Sequence, residues 1–212
     1  MNMKLCKNTA VRLSVFLVAL SCIFSGPSSA EKSDFTKAVD LVKEKKYVKA
    51  FDIFERLAQG HDPDAQFNTA VLLRKGIGRP SNYPDALQWA WLAELGGNSR
   101  AAELREELID LMPEEQLDPV RNRVKSVLQR RMDAGESVVI LQMANYHLRV
   151  EAEPDYKYAY ALRSLAAALS IKNAVELRDE IEPELEPADL IDAQSIAAQL
   201  FSSTTWVTEV KE

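Results

Sequence analysis

Cysteine is almost missing from this chain: of 212 residues only Cys6 and Cys22 carry a thiol, both near the start. Histidine is as scarce, with only His61 and His147. Seven glycines leave little room for glycine-rich binding loops. No stretch alternates apolar and polar residues as a half-buried strand does. The longest apolar run, Leu13 to Phe24, falls short of the roughly 20 residues a membrane-spanning helix needs. Basic residues are outnumbered, giving a net charge of −6. A domain of that sign repels phosphate backbones, so a nucleic-acid partner is not expected.

The first thirty residues read as an export segment. Lys4, Lys7 and Arg12 precede the apolar run, and Ser28-Ser29-Ala30 offers the small residues a signal peptidase accepts, leaving Glu31 as the new N-terminus. Cys22 has Ala19 and Leu20 where a lipoprotein carries leucine and then a small residue, so lipidation is the poorer match. Cleavage would remove both thiols, and with them any disulfide, thiol nucleophile or zinc–cysteine site. It would also take the formal charge to −9. The mature protein is expected in the periplasm or outside the cell, with no membrane insertion after cleavage.

What remains is helical in period. Phe35, Ala38, Val39 and Val42 mark one face, and Tyr47, Ala50, Phe51, Phe54 and Leu57 a second. Asp62-Pro63 opens a third helix, reaching about Lys75, because aspartate caps free amides and proline tolerates the first helical position. Pro84-Asp85 opens a fourth, which ends at Gly96-Gly97. Further helices are expected at about 99–111, 117–134, 137–149, 155–170, 172–182 and 187–201.

The order repeats itself. "AAELREEL" from Ala101 returns as "NAVELRDEI" from Asn173, and at the same spacing of 73 Leu117, Val120, Val124 and Leu128 fall on Leu190, Ala193, Ala197 and Phe201. Helix-face positions persist while surface letters drift. The expected organisation is a signal peptide over 1–30, a first helical hairpin over 31–60, one repeat unit over 61–135, a second over 136–201, and a flexible tail over 202–212.

Residues 65–100 resemble the Sel-one-like repeat, a helix–turn–helix relative of the tetratricopeptide repeat. The matching positions are Ala65, Phe67, Gly76, Gly78, Pro80, Tyr83, Ala86, Trp89, Ala93 and Gly97. Thr69, Ala70, Leu73, Arg79 and Glu94 depart from the pattern. In the second copy Met143-Ala144 and Glu151-Ala152-Glu153 depart too, while Ala159, Ala166 and Ala167 keep the small-residue ladder. The resemblance implies an all-α solenoid of about ten helices that scaffolds other proteins. It also makes "GIG" at 76–78 a corner between helices. A phosphate loop would follow a strand and lead straight into a helix.

Catalytic motifs are absent: no GxSxG, HExxH or DxDxDG occurs. His61 precedes a helix cap and has no partner ligand at helical spacing. His147 occupies the packing position equivalent to Leu73, as a buried, hydrogen-bonded histidine would. The acidic stretch from Glu176 and the basic helix from Arg121 to Arg131 read as solvated faces, whose opposite signs would suit pairing within or between molecules but contribute little to stability. Trp89 holds the pattern's buried aromatic position. Trp91 is expected either beneath the helix at 99–111 or in an exposed patch.

In such arrays the first helix of each hairpin lines the concave side. The resemblance therefore places Phe67, Val71 and Arg74 there in one copy, with Leu141, Asn145, Leu148 and Arg149 in the other. The expected function is a non-catalytic adaptor, with no cofactor and no metal, that holds an unknown protein or peptide bearing acidic residues. Self-association through Trp91 or the charged stretches is the alternative. A hydrolase built on the two histidines is the least supported.

Overall fold

A computed structural model describes residues 29–203, with side chains from Lys32 onward. The export segment expected over 1–30 lies outside the described residues except for Ser29 and Ala30, which begin the first helix. Trp206 and the tail from residue 204 onward lie outside them as well.

Ten α-helices and no strand occur among the described residues. They are α1 (Ser29–Lys43), α2 (Tyr47–Gln59), α3 (Pro63–Lys75), α4 (Tyr83–Leu95), α5 (Ala101–Asp110), α6 (Leu117–Asp133), α7 (Val139–Arg149), α8 (Tyr156–Ala168), α9 (Ala174–Ile181) and α10 (Pro187–Ser203). Short 3-10 turns precede α6 and α10. Each helix packs mainly on helices one or two places away in the chain, α6 on α4 and α7 and α10 on α8, which makes an all-α solenoid of hairpins. α10 runs two residues beyond its expected end, and α7 starts two residues later than expected.

Local chemistry sets the starts. The Asp62 carboxylate accepts from Ala65 N at 2.9 Å, Asn82 Oδ1 from Asp85 N at 3.1 Å, and Asp155 Oδ1 from Tyr158 N at 2.8 Å. Each satisfies an amide that the first helical turn leaves free. Pro63 and Pro84 fix φ just inside α3 and α4, where no amide proton is needed.

The 73-residue spacing read from side chains recurs in the backbone. Asn98 N donates to Ala93 O at 2.9 Å, and Ile171 N to Ala166 O at 2.9 Å. Ala101 N donates to Asn98 O at 3.1 Å, and Ala174 N to Ile171 O at 3.1 Å. Gly97 and Ser170, also 73 apart, both hold left-handed backbone, at φ 97° and 57°. The hairpin turns correspond as well: Asn82 N bonds Leu73 O, and Asp155 N bonds His147 O. The second of these turns is shorter by one residue.

α4 and α8 are the centres of these units. α4 packs against α3, α5, α6 and α7, and α8 against α7, α9 and α10. Ala86, Leu87, Ala90, Leu92 and Ala93 are buried in α4. The residues at the same spacing in α8, Ala159, Tyr160, Arg163, Leu165 and Ala166, are buried too. Small residues on both helices let the flanking helices approach closely.

Trp91 is 1% exposed, which settles its two expected placements in favour of cover. Trp89, assigned the buried position by resemblance, is only half-buried against the core. The reason is crowding: helices on several sides of α4 enclose the face carrying Trp91.

α6 and α10 show what a neighbour does. In α6 Leu117, Val120, Val124 and Leu128 are all buried, because α7 lies across them as well as α4. In α10 the matching residues are Leu190, Ala193, Ala197 and Phe201. Only Ala193 is buried, and Phe201 is exposed.

"GIG" is a turn. Gly76 at φ 63° ends α3, and Gly78 at φ 82° carries the chain onward. Arg79 beside it is already engaged, since it pairs with Asp52 and lies over the Phe51 ring at 5.0 Å.

Candidate functional site

The expected binding residues occupy matching positions on α3 and α7. Phe67, Val71, Leu141, Asn145 and Leu148 are half-buried, and Arg149 is exposed. The two helices are not equally open. Arg74 forms a 2.7 Å ion pair with Glu107 of α5. The Arg100 guanidinium lies 4.4 Å from the centre of the Phe67 ring and is itself 3.0 Å from Asp64. The α3 stripe is therefore partly engaged within the chain. Trp91 lies in the core, out of reach of a partner.

On α7 the surroundings differ. Asn145 Oδ1 accepts from Arg163 Nη2 at 3.4 Å, and Arg163 Nη1 donates to the Leu177 carbonyl of α9. Arg163 is 4% exposed, and its Nε has no partner. Burial and the nearby Arg149 lower its proton affinity, while Glu180 opposes that. Sequence reasoning missed this residue. The signal was available, because the 73-residue spacing puts Arg163 on Ala90, a core position.

The described residues gather potential chemistry at one other place. His147 Nδ1 and a Glu151 carboxylate oxygen are 2.7 Å apart, and one ligand atom each from His147, Glu151 and Asp155 fit within 4.8 Å. The ring lies against Tyr158 at 4.7 Å and edge-on to Tyr146 at 5.4 Å. Its other nitrogen, Nε2, is buried without a partner. A proton on Nε2 would be stranded there, so the neutral ring carries its proton on Nδ1 and donates it to Glu151. Burial accordingly pushes the His147 pKa down, against the pull of Glu151.

That tautomer decides what the group does. Binding a cation through Nδ1 would move the ring proton to Nε2, where no acceptor waits. Lys125 already sits 2.9 Å from Glu151. Asp155 is occupied as the cap of α8. The arrangement is a clasp joining the end of α7, the following turn and the start of α8, as the sequence reading of a hydrogen-bonded core histidine expects. Tyr146 completes it: burial, then Glu151, pushes its pKa up to about 12, and its hydroxyl donates to Arg121 O at 3.2 Å. His61, at the entry to α3, is exposed and has different charged neighbours, Arg131 and Glu136.

The basic helix α6 does not pair with the acidic stretch after Glu176. Arg121 bonds Val150 O and Asp118, Arg123 pairs with Asp85, Lys125 with Glu151, and Arg131 with Glu136. Packing of α6 on α4 and α7 brings those acids closer than any on α9. No helix among the described residues is long and apolar enough to cross a membrane.

No protein-family profile matches the chain, and no curated protein does. Among solved structures it is similar to a protective antigen present in uropathogenic Escherichia coli strains, displaying an SLR fold. The identity is 17%, over 86% of this chain and 50% of that one, with a TM-score of 0.35. The chain thus spans about half the length of that structure.

Proposed function

We propose that this protein is a non-catalytic adaptor, exported to the periplasm, that holds a polypeptide along the α7 side of its solenoid. The observation that carries this reading is the state of α7. Arg149 is exposed, with no ion pair among the described residues, beside half-buried Leu141, Asn145 and Leu148, whereas on α3 Arg74 is paired with Glu107 of α5 and Arg100 covers Phe67. Leucines flanking an amide, with a cation at one end, suit an extended or helical peptide. The histidine cluster supports the same reading from the other side, since its geometry serves packing and supplies no activated nucleophile. Export rests on the segment Met1–Ala30 and its small residues before Glu31.

A photo-crosslinking residue placed at Asn145 tests the face against a control at Val48, which is 55% exposed on α2. The reading predicts crosslinked protein from envelope extract at 145 only, lost when Arg149→Glu is added. Equal capture at both positions contradicts it. Self-association through Trp91 loses its basis with that residue buried.

A further inference from the structure

α10 is the last described helix, and its outward face carries no charge. At 3.6 residues per turn, Ala193, Ala197 and Leu200 point inward. Ala188, Ile191, Ser195, Ala198 and Ser202 run along the opposite side, all of them exposed, Ile191 at 64%. Phe201, 52% exposed, flanks them. The acids of this helix, Asp189 and Asp192, lie off that line and are held by Lys157 of α8. No charged residue occurs from Ala193 to Ser203. The hydroxyls of Ser195 and Ser202 donate back to Ile191 O at 3.1 Å and Gln199 O at 3.0 Å, so covering them strands no donor. Exposed apolar residues elsewhere stand among charges: Val48 lies one turn from Asp52, Val175 one turn from Asp179, and Leu111 beside Asp110.

The first repeat unit lays a helix on the matching face. At the 73-residue spacing Gln194, Ala198 and Phe201 fall on Arg121, Lys125 and Leu128 of α6. Arg121 bonds Val150 O and Lys125 pairs with Glu151, both just past the end of α7, and Leu128 is buried. α10 packs chiefly on α8 and has no such cover among the described residues. Uncharged residues replace Arg121 and Lys125 on it, so the matching cover is a neutral face and not one ending in an acid like Glu151. A second α10 is such a face. Copies of a chain with net charge −6 repel one another, and least where neither presents a charge.

We propose that α10 is a self-association face, through which two copies of this chain pair antiparallel about a two-fold axis at Ser195. The interface is isologous, the same residues contributing from both sides. Ile191 of each copy meets Ala198 of the other, large against small, and Phe201 closes the edge. The antiparallel sense also brings opposite helix ends together. One helix pair is a small contact, so the dimer is reversible and forms in the micromolar range. This inference is independent of the α7 face.

Sedimentation velocity of the purified protein, under reducing conditions that keep Cys6 and Cys22 from bridging, reads the assembly directly. The parent protein should pass from monomer to dimer with rising concentration, and the dimer should persist in about 1 M salt, where exposed ion pairs are screened. Ser195→Glu and Ser195→Lys, both at an exposed position, should each raise the dissociation constant at least about tenfold, because like charges meet at the axis. An equimolar mixture of the two at low salt should restore the dimer, since glutamate then faces lysine. Val48→Glu, equally exposed on α2, should change nothing. A monomer at every concentration overturns the proposal, and so does a dimer that tolerates both Ser195 variants. A dimer that dissolves in salt assigns association to the charged stretches and overturns it too. A mixture that stays monomeric while each variant is folded overturns the two-fold pairing and gives the face to a different polypeptide.

Discussion

Gly78 lies so close to the start of α2 that a β-carbon on it would stand 2.6 Å from the Tyr47 carbonyl oxygen. This contact seats the α3–α4 turn on the preceding hairpin, and two constraints meet in it: left-handed backbone at φ 82° and no room for a side chain. Gly97 shares only the first, since nothing lies within 4 Å of its missing β-carbon. Gly97→Ala should cost about 1 kcal/mol, the conformational penalty alone. Gly78→Ala should cost clearly more, about 2–4 kcal/mol, because backbone must also shift. Urea midpoints of the two variants decide it, and equal losses would show that the Tyr47 contact is slack.

Ser170 repeats the left-handed position of Gly97 without being glycine. Ser170→Gly should therefore stabilise the chain by up to about 1 kcal/mol, relief of the steric cost exceeding the added freedom of the unfolded chain. A lower urea midpoint would contradict the assignment of strain there.

His147 gives a pH dependence with a definite sign. Its folded pKa lies below the ordinary value, so the unfolded chain takes up the proton first. The stability tied to this residue is full above the unfolded pKa of about 6.5. It is lost progressively as the pH falls from there to the lowered folded value. His61 shifts in the same direction and contributes with the same sign. His147→Asn keeps a donor near Glu151 but cannot take a proton. Relative to it, the parent protein should lose stability between about pH 7 and pH 5. A constant difference over that range would mean that folding leaves the proton affinity of the ring unchanged, and a gain on acidification would mean that the ring is protonated in the fold.

Trp91 should behave as core. Trp91→Ala should cost about 3–5 kcal/mol. Trp91→Phe should cost much less, because the indole N–H is buried without a partner and its loss breaks no hydrogen bond. Thermal or urea unfolding checks both, and a negligible effect of alanine would place the residue on the surface.

The helical plan was legible in the chain because period, caps and glycines all act locally. Asp62-Pro63 announces α3, and the duplicated run at Ala101 and Asn173 announces a repeat that backbone hydrogen bonds reproduce. What depended on helices from elsewhere was not legible. Trp89 and Trp91 lie two residues apart, and only the arrangement of helices around α4 decides which is enclosed. The charges of α6 read as a solvated face, yet Asp85, Glu136 and Glu151 claim them. Arg163 falls between these cases. Its own run, "ALRSLAAAL", conceals it, whereas alignment on Ala90 exposes a cation at a core position.

Hydrogen exchange over the whole chain, with and without the protein crosslinked through position 145, tests the adaptor reading most directly. The account predicts slowed exchange over 141–149, extending to the neighbourhood of Arg163 and Leu177, with α1 and α2 unchanged. Slowing confined to the uncovered side of α10 around Ile191 and Phe201, or none anywhere, would contradict it.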